Sequence, residues 1–201
     1  MEITEQIGQT KWSIDQAHSE ITFKVRHLMI AHVKGKFKTF DASIYTRGKN
    51  FKTAEIDMLI EVSSISTDDE KRDEHLLSEE FFDAKKHNQI SFVSSTIAKK
   101  DESGNHELWG ELTIKGITKT VVLNVEFGGI IKDPWGNEKA GFTVTGKIHR
   151  ADFGLTMNVP LEGGGVVVGE EVSISCDIEL TKISQNDLVM ELDTEANKNS
   201  I

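Results

Sequence analysis

The stretch Ile21-Thr22-Phe23-Lys24-Val25-Arg26-His27 alternates strictly: Ile21, Phe23 and Val25 point one way, Thr22, Lys24 and Arg26 the other. Period-two alternation marks a strand with one dry and one wet face. Eight such stretches follow one another along the chain, interrupted by one acidic helical insert. A run of strands joined by tight turns must protect its sheet edges, and closing into a barrel removes them. The expected fold is all-β: a closed eight-stranded antiparallel barrel with a short helical lid. A barrel of that size is either filled by its own side chains or holds one small ligand. Which of the two applies decides the function.

Trp12-Ser13-Ile14-Asp15 reads as a short leading strand after a flexible segment, residues 1–10. The long strands are expected at about 18–29, 33–45, 56–62, 89–97, 108–114, 121–127, 140–150 and 171–180. In the second, the apolar parity shifts between Phe37 and Phe40-Ala42-Ile44, which predicts a bulge near Thr39. Arg47-Gly48-Lys49-Asn50, Asp101 to Asn105, Lys115-Gly116 and Asp133-Pro134-Trp135-Gly136-Asn137 read as turns. The insert, residues 67–82, opens with Thr67 and Glu70 at capping-box spacing and an acidic first turn suited to a helix dipole. Ser78 reads as a second cap. The pairs Leu76-Leu77 and Phe81-Phe82 are too apolar to stand in water, so the insert is placed over a barrel opening. Gly163-Gly164-Gly165 reads as a flexible loop, because no Gly-Lys-Ser/Thr follows it. Residues 182–201 form a polar, acidic tail expected to be flexible, leaving one domain over 11–181.

Composition excludes several functions. A net charge of −10 argues against nucleic acid as a partner, which needs clustered Lys and Arg. No apolar run reaches the ~20 residues that span a bilayer. The N-terminal residues lack the basic and apolar regions of a signal peptide, so a cytoplasmic location is expected, or a periplasmic one for a processed form. The single cysteine, Cys176, lies between Ile174 and Ile178 and reads as a small buried hydrophobe rather than a nucleophile.

Catalytic and metal signals are weak. The histidines fall on different segments without paired ligand spacing, and His27 and His32 lie on opposite strand faces, so neither metal nor cofactor is expected. Asp152-Phe153-Gly154 matches the kinase magnesium tripeptide in letters only and reads as a structural turn. Arg150 and Asp152 share a face and are expected to pair. Arg72, Asp73 and His75 form either a solvated helix face or a polar mouth. His27 continues the inward row of Ile21, Phe23 and Val25, and either bonds a backbone carbonyl or anchors a ligand head group. The remaining signal is a large inward apolar set, interleaved with the small residues Gly35, Ala42, Gly110 and Gly146. Such a set makes either interdigitated packing or an elongated slot, and periodicity alone leaves both open.

Several runs together resemble one family. They are Trp12-Ser13-Ile14-Asp15, His18-Ser19, Phe23-Lys24-Val25-Arg26-His27-Leu28, Gly35-Lys36-Phe37 and Ser64-Ile65-Ser66-Thr67. They continue through Arg72-Asp73-Glu74-His75-Leu76, Phe81-Phe82-Asp83, Gly110 to Gly116, Arg150-Ala151-Asp152-Phe153-Gly154 and Val168-Gly169-Glu170-Glu171-Val172. In this order, over about 11–181, they resemble the YceI-like proteins. One departure is Lys86-His87-Asn88-Gln89, where a proline often follows the lid.

The resemblance implies a lipocalin-like barrel that holds polyisoprenoid or related amphiphilic lipids. It favours the slot, and with it a non-enzymatic protein that binds and sequesters or transports a polyisoprenoid or isoprenoid quinone. The expected ligand-binding residues are Phe23, Val25, His27, Phe37, Met58, Leu76, Phe81, Phe82, Phe92 and Leu112. The alternatives are an enzyme on an isoprenoid-like lipid and a filled barrel serving as an interaction module. No stable membrane insertion is expected. Trp109 and Val122 fall on the outward parity of adjacent strands, which predicts an apolar patch suited to a homodimer.

Overall fold

The computed structural model describes residues 9–99, 101, 105–162 and 166–184. The strands are β1 (Gln9–Ile14), β2 (Glu20–His27), β3 (Ala31–Phe37), β4 (Phe40–Arg47), β5 (Asn50–Glu61) and β6 (Ile65–Ser66). Helix α1 (Glu70–Leu77) follows, then β7 (Gln89–Lys99), β8 (Asn105–Ile114), β9 (Ile117–Lys132), β10 (Glu138–His149) and β11 (Val168–Lys182). All ladders are antiparallel. Three interrupted pairs, β1/β2, β3/β4 and β5/β6, each act as one long staircase strand. With β7 to β11 they make an eight-stranded meander. The last strand closes on the first, through Ile14 opposite Leu180 and Ile21 opposite Cys176.

Two local irregularities shape the wall. The parity shift predicts a bulge near Thr39, and there the strand is interrupted, at Lys38-Thr39 between β3 and β4. Lys115 and Gly116 both take left-handed backbone, the requirement of a two-residue hairpin turn. β1 begins at Gln9 and β11 runs on to Lys182, so both strands extend slightly beyond the expected limits. β5 likewise begins at Asn50, six residues earlier than its apolar letters indicate. The expected loops at 102–104 and 163–165, residues 1–8 and most of the acidic tail lie outside the described residues.

Trp12 is completely buried, which an indole tolerates only when its N–H is bonded. Here Nε1 donates to Thr46 Oγ1 at 2.9 Å, from β1 to its neighbour β4. At the β1–β11 seam that closes the barrel, Lys139 donates to Asp15 at 2.6 Å and pairs with Glu179 at 3.1 Å. The Lys139 hydrogen bond holds the Asp15 carboxyl down at about 2. Asp15, His18 and Glu179 could group around a cation, but the Lys139 ammonium already satisfies both carboxylates there.

The lid starts differently from its sequence reading. Asp69, not Thr67, caps α1, accepting from the Arg72 N–H at 3.1 Å. Thr67 is buried and serves as an anchor: it donates to the Asp73 carboxylate, while Arg72 Nε donates to its hydroxyl at 2.7 Å. Arg72 and Asp73 therefore tie the helix to β6 rather than forming a polar mouth. His75 turns outward to Glu80, at 2.6 Å. Ser78 ends α1, donating to the His75 carbonyl, and the turn after it presents Phe81 and Phe82.

Candidate functional site: an apolar barrel cavity

Packing of the inward rows leaves a cavity of about 420 Å³ along the barrel. That lies within the range of small-molecule sites, roughly 300–1,000 Å³. Both outcomes open at the sequence level occur together. A methyl group on Gly110 would come within 2.4 Å of Phe92 Cζ, and one on Gly35 within 2.3 Å of Phe23 Cζ. At these positions aromatic rings lie over bare backbone, which presses them against the wall and leaves the axis open.

Of the expected ligand-binding residues, Phe23, Val25, Phe37, Met58, Leu76, Phe81, Phe82, Phe92 and Leu112 all line the cavity. Leu76, Phe81 and Phe82 close the end under α1, where Phe82 meets Phe37 edge-on with ring centroids 6.4 Å apart. His27 is not brought into the wall. It follows the inward parity but ends β2, half-buried and paired with Ala31 and Val168 beyond the cavity lining.

Three features of the wall were missed in the sequence. Phe51 anchors an aromatic cluster at the end opposite the lid, with centroids 4.9 Å from Trp12, 4.8 Å from Phe142 and 5.8 Å from Phe127. Lys49, from the β4–β5 turn, and Asn50 and Lys52, at the start of β5, line that same end. His106 enters the cavity from the start of β8, and its Nε2 is buried without a hydrogen-bond partner among the described residues. A buried polar atom left unpaired costs about 1–3 kcal/mol, so the site gains from anything that bonds it.

Arg150 also borders the cavity, at the lid end, but is fully employed. Its guanidinium is 4% exposed and donates to the carbonyls of Gly169, Leu155, Met157 and Val168. Its acidic neighbour is Glu170 at 3.7 Å, not Asp152, which is exposed. The 3₁₀ turn of residues 150–153 aims Arg150 back toward Leu155, Met157, Val168 and Gly169, away from Asp152. Cys176 lines the cavity, and burial pushes its thiol up to about 12. At neutral pH it is a protonated wall residue rather than a nucleophile.

A YceI-like domain model matches residues 12–180, nearly the whole barrel. The chain belongs to the YceI-like family. A UPF0312 protein of Staphylococcus aureus is 37% identical over 86% of this chain and 98% of its own length. One of Staphylococcus epidermidis is 38% identical with the same coverage. Among solved structures, the Campylobacter jejuni YceI protein is 33% identical, with TM-score 0.67 over 85% of this chain and 96% of its own. Burkholderia cenocepacia BcnA is 25% identical, with TM-score 0.67 over 83% and 98%. A polyisoprenoid binding domain from Saccharophagus degradans, implicated in plant cell wall breakdown, shares the fold at 14% identity and TM-score 0.60, over 86% and 98%. Among the described residues no helix is long and apolar enough to cross a membrane.

Proposed function

We propose that this YceI-like barrel binds and sequesters a long-chain amphiphilic lipid, a polyisoprenoid or isoprenoid quinone, and carries it without covalent chemistry. The observation that carries this reading is the continuous apolar wall of the 420 Å³ cavity, running from the Phe51 cluster to Phe81 and Phe82. Each methylene moved from water into such a wall contributes about 0.8 kcal/mol, so a prenyl tail is held by area alone. The polyisoprenoid binding of a fold neighbour is in keeping with that chemistry.

The head group is placed at the end opposite the lid. There the orphaned Nε2 of His106 offers a hydrogen bond, and the exposed Lys52 ammonium offers a charge. Delipidated protein titrated with a short-chain isoprenoid quinone tests this. His106→Phe should weaken binding about fivefold or more, the loss of one hydrogen bond of roughly 1 kcal/mol. His27→Phe should leave binding unchanged. Equal affinity for wild type and His106→Phe would move the head group elsewhere.

Self-association through the outer face is a further part of the proposal. Trp109 and Val122 lie directly opposite each other across β8 and β9, 40% and 37% exposed, on the side away from the cavity. Light scattering at micromolar concentration should give a dimer mass that Trp109→Ser reduces to the monomer. A monomer mass for both proteins would remove the claim.

A further inference from the structure

We propose that the β2–β3 hairpin tip, with the lysine-bearing outer face behind it, docks the lid end of the barrel onto an anionic lipid bilayer. The tip is Leu28-Met29-Ile30, between His27 and Ala31, which pair as the last rung of the hairpin. All three residues are exposed, Ile30 to 85%. Leu28 and Met29 both adopt left-handed backbone, a conformation that hairpins normally give to Asn or Gly. Apolar side chains are therefore held here against both the backbone preference and the cost of exposure to water. Val159, also exposed, extends the patch: its carbonyl accepts from Val167 N–H, and the Val167 carbonyl accepts from Leu28 N–H.

Charge behind the tip has the sign that an anionic surface requires. Along the outward face of β2 and β3, Lys24 stands directly opposite Lys34, and Arg26 opposite His32. The like charges of Lys24 and Lys34, set opposite each other, oppose strand pairing, so this arrangement favours a partner that neutralises them. An open groove on this outer face is lined by Lys24, Lys34, Lys36 and Lys147, with Asp68 as its carboxylate. Lys36 is held by Glu20 at 3.2 Å and Lys147 by Glu171 at 2.8 Å. Lys24 and Lys34 have no ion-pair partner among the described residues. In a chain of net charge −10 such a face is a local reversal of sign, which orients the molecule toward an anionic surface.

An apolar tip with a basic collar matches how interfacial segments bind: the apolar residues enter the acyl boundary and the cations meet the head groups. The tip also continues the cavity wall. Phe23 and Val25 of β2 line the cavity, as does Val168, the rung opposite His27. The docked end is thus the end that the lid closes. The inference does not rest on what the cavity holds, because vesicle binding is read independently of lipid uptake.

Co-sedimentation of the full chain with vesicles of phosphatidylglycerol and phosphatidylcholine tests it, against vesicles of phosphatidylcholine alone. Binding should occur to the anionic vesicles and fall several-fold when salt is raised from about 50 to 300 mM, as the Debye length shortens. The double variant Met29→Ser/Ile30→Ser should lower partitioning at least tenfold, and Lys24→Glu/Lys34→Glu should abolish its salt dependence. All four positions are exposed, so both variants should keep the wild-type unfolding midpoint. Equal binding to the two vesicle types, or variants that bind like wild type, would overturn the proposal. So would a tip variant that loses a dimer by light scattering while its vesicle binding is unchanged.

Discussion

Arg150→Ala should destabilise the barrel by about 3–5 kcal/mol, a large part of the 5–15 kcal/mol that a domain of this kind has in total. The guanidinium is buried and donates to four backbone carbonyls, binding Leu155, Met157, Val168 and Gly169 of the following segment to the end of β10. Removing it takes the donor from the carbonyls of Leu155, Met157 and Gly169, while Val168 keeps the Asn158 side-chain amide at 2.7 Å, and the penalty of an unmet buried carbonyl is larger than the net gain of a bond made. Arg150→Lys should recover only part of the loss, since one ammonium cannot span carbonyls arranged around a planar fork. Urea denaturation measures both variants. A loss below about 1 kcal/mol for Arg150→Ala would show that the segment is held by other contacts.

Phe92→Asp should abolish lipid uptake. Phe92 is 6% exposed, lines the cavity and lies over Gly110. A carboxylate there faces apolar wall on every side, and an unpaired charge in such a place costs several kcal/mol unless it takes up a proton. Because that cost falls on the fold as well as on the ligand, Met58→Trp provides the second arm. Met58 lines the cavity on β5, opposite Phe92 across the β5–β7 ladder. A tryptophan at this position would occupy the space of the lipid, at an overpacking cost of about 1–3 kcal/mol. A folded Met58→Trp protein that binds quinone as tightly as wild type would contradict the assignment of the cavity.

The barrel was legible because parity is a strong constraint. A strand with one buried face fixes every second residue, and Ile21, Phe23, Met58, Phe92 and Leu112 all reach the cavity as alternation dictates. Where β5 and β8 begin in polar letters, parity gave no starting point. In β5 the apolar alternation is plain only from Ile56, with Phe51 hidden behind Lys52 and Thr53, and the ladder irregularity between Tyr45 and Arg47 shifts that end of the pairing. In β8 it is plain only from Leu108, although one further step of the same alternation reaches His106. His27 shows the converse: parity selects a face, but not the depth at which the cavity ends.

The lid cap falls elsewhere for a different reason. The capping-box spacing points to Thr67, but Asp73 and Arg72 bond the Thr67 side chain, and Asp69 takes the cap instead. Whether the barrel is filled or open depends on summed volumes around a closed wall. That property belongs to all the strands together and is written in none of them.

Organic extraction of protein purified without detergent, followed by mass spectrometry, tests the proposal that the barrel carries a prenyl lipid. The expected result is one class of long-chain isoprenoid, recovered at close to one molecule per chain and absent from Met58→Trp. An extract free of such lipid, from protein that also fails to take up an added isoprenoid quinone, would contradict it.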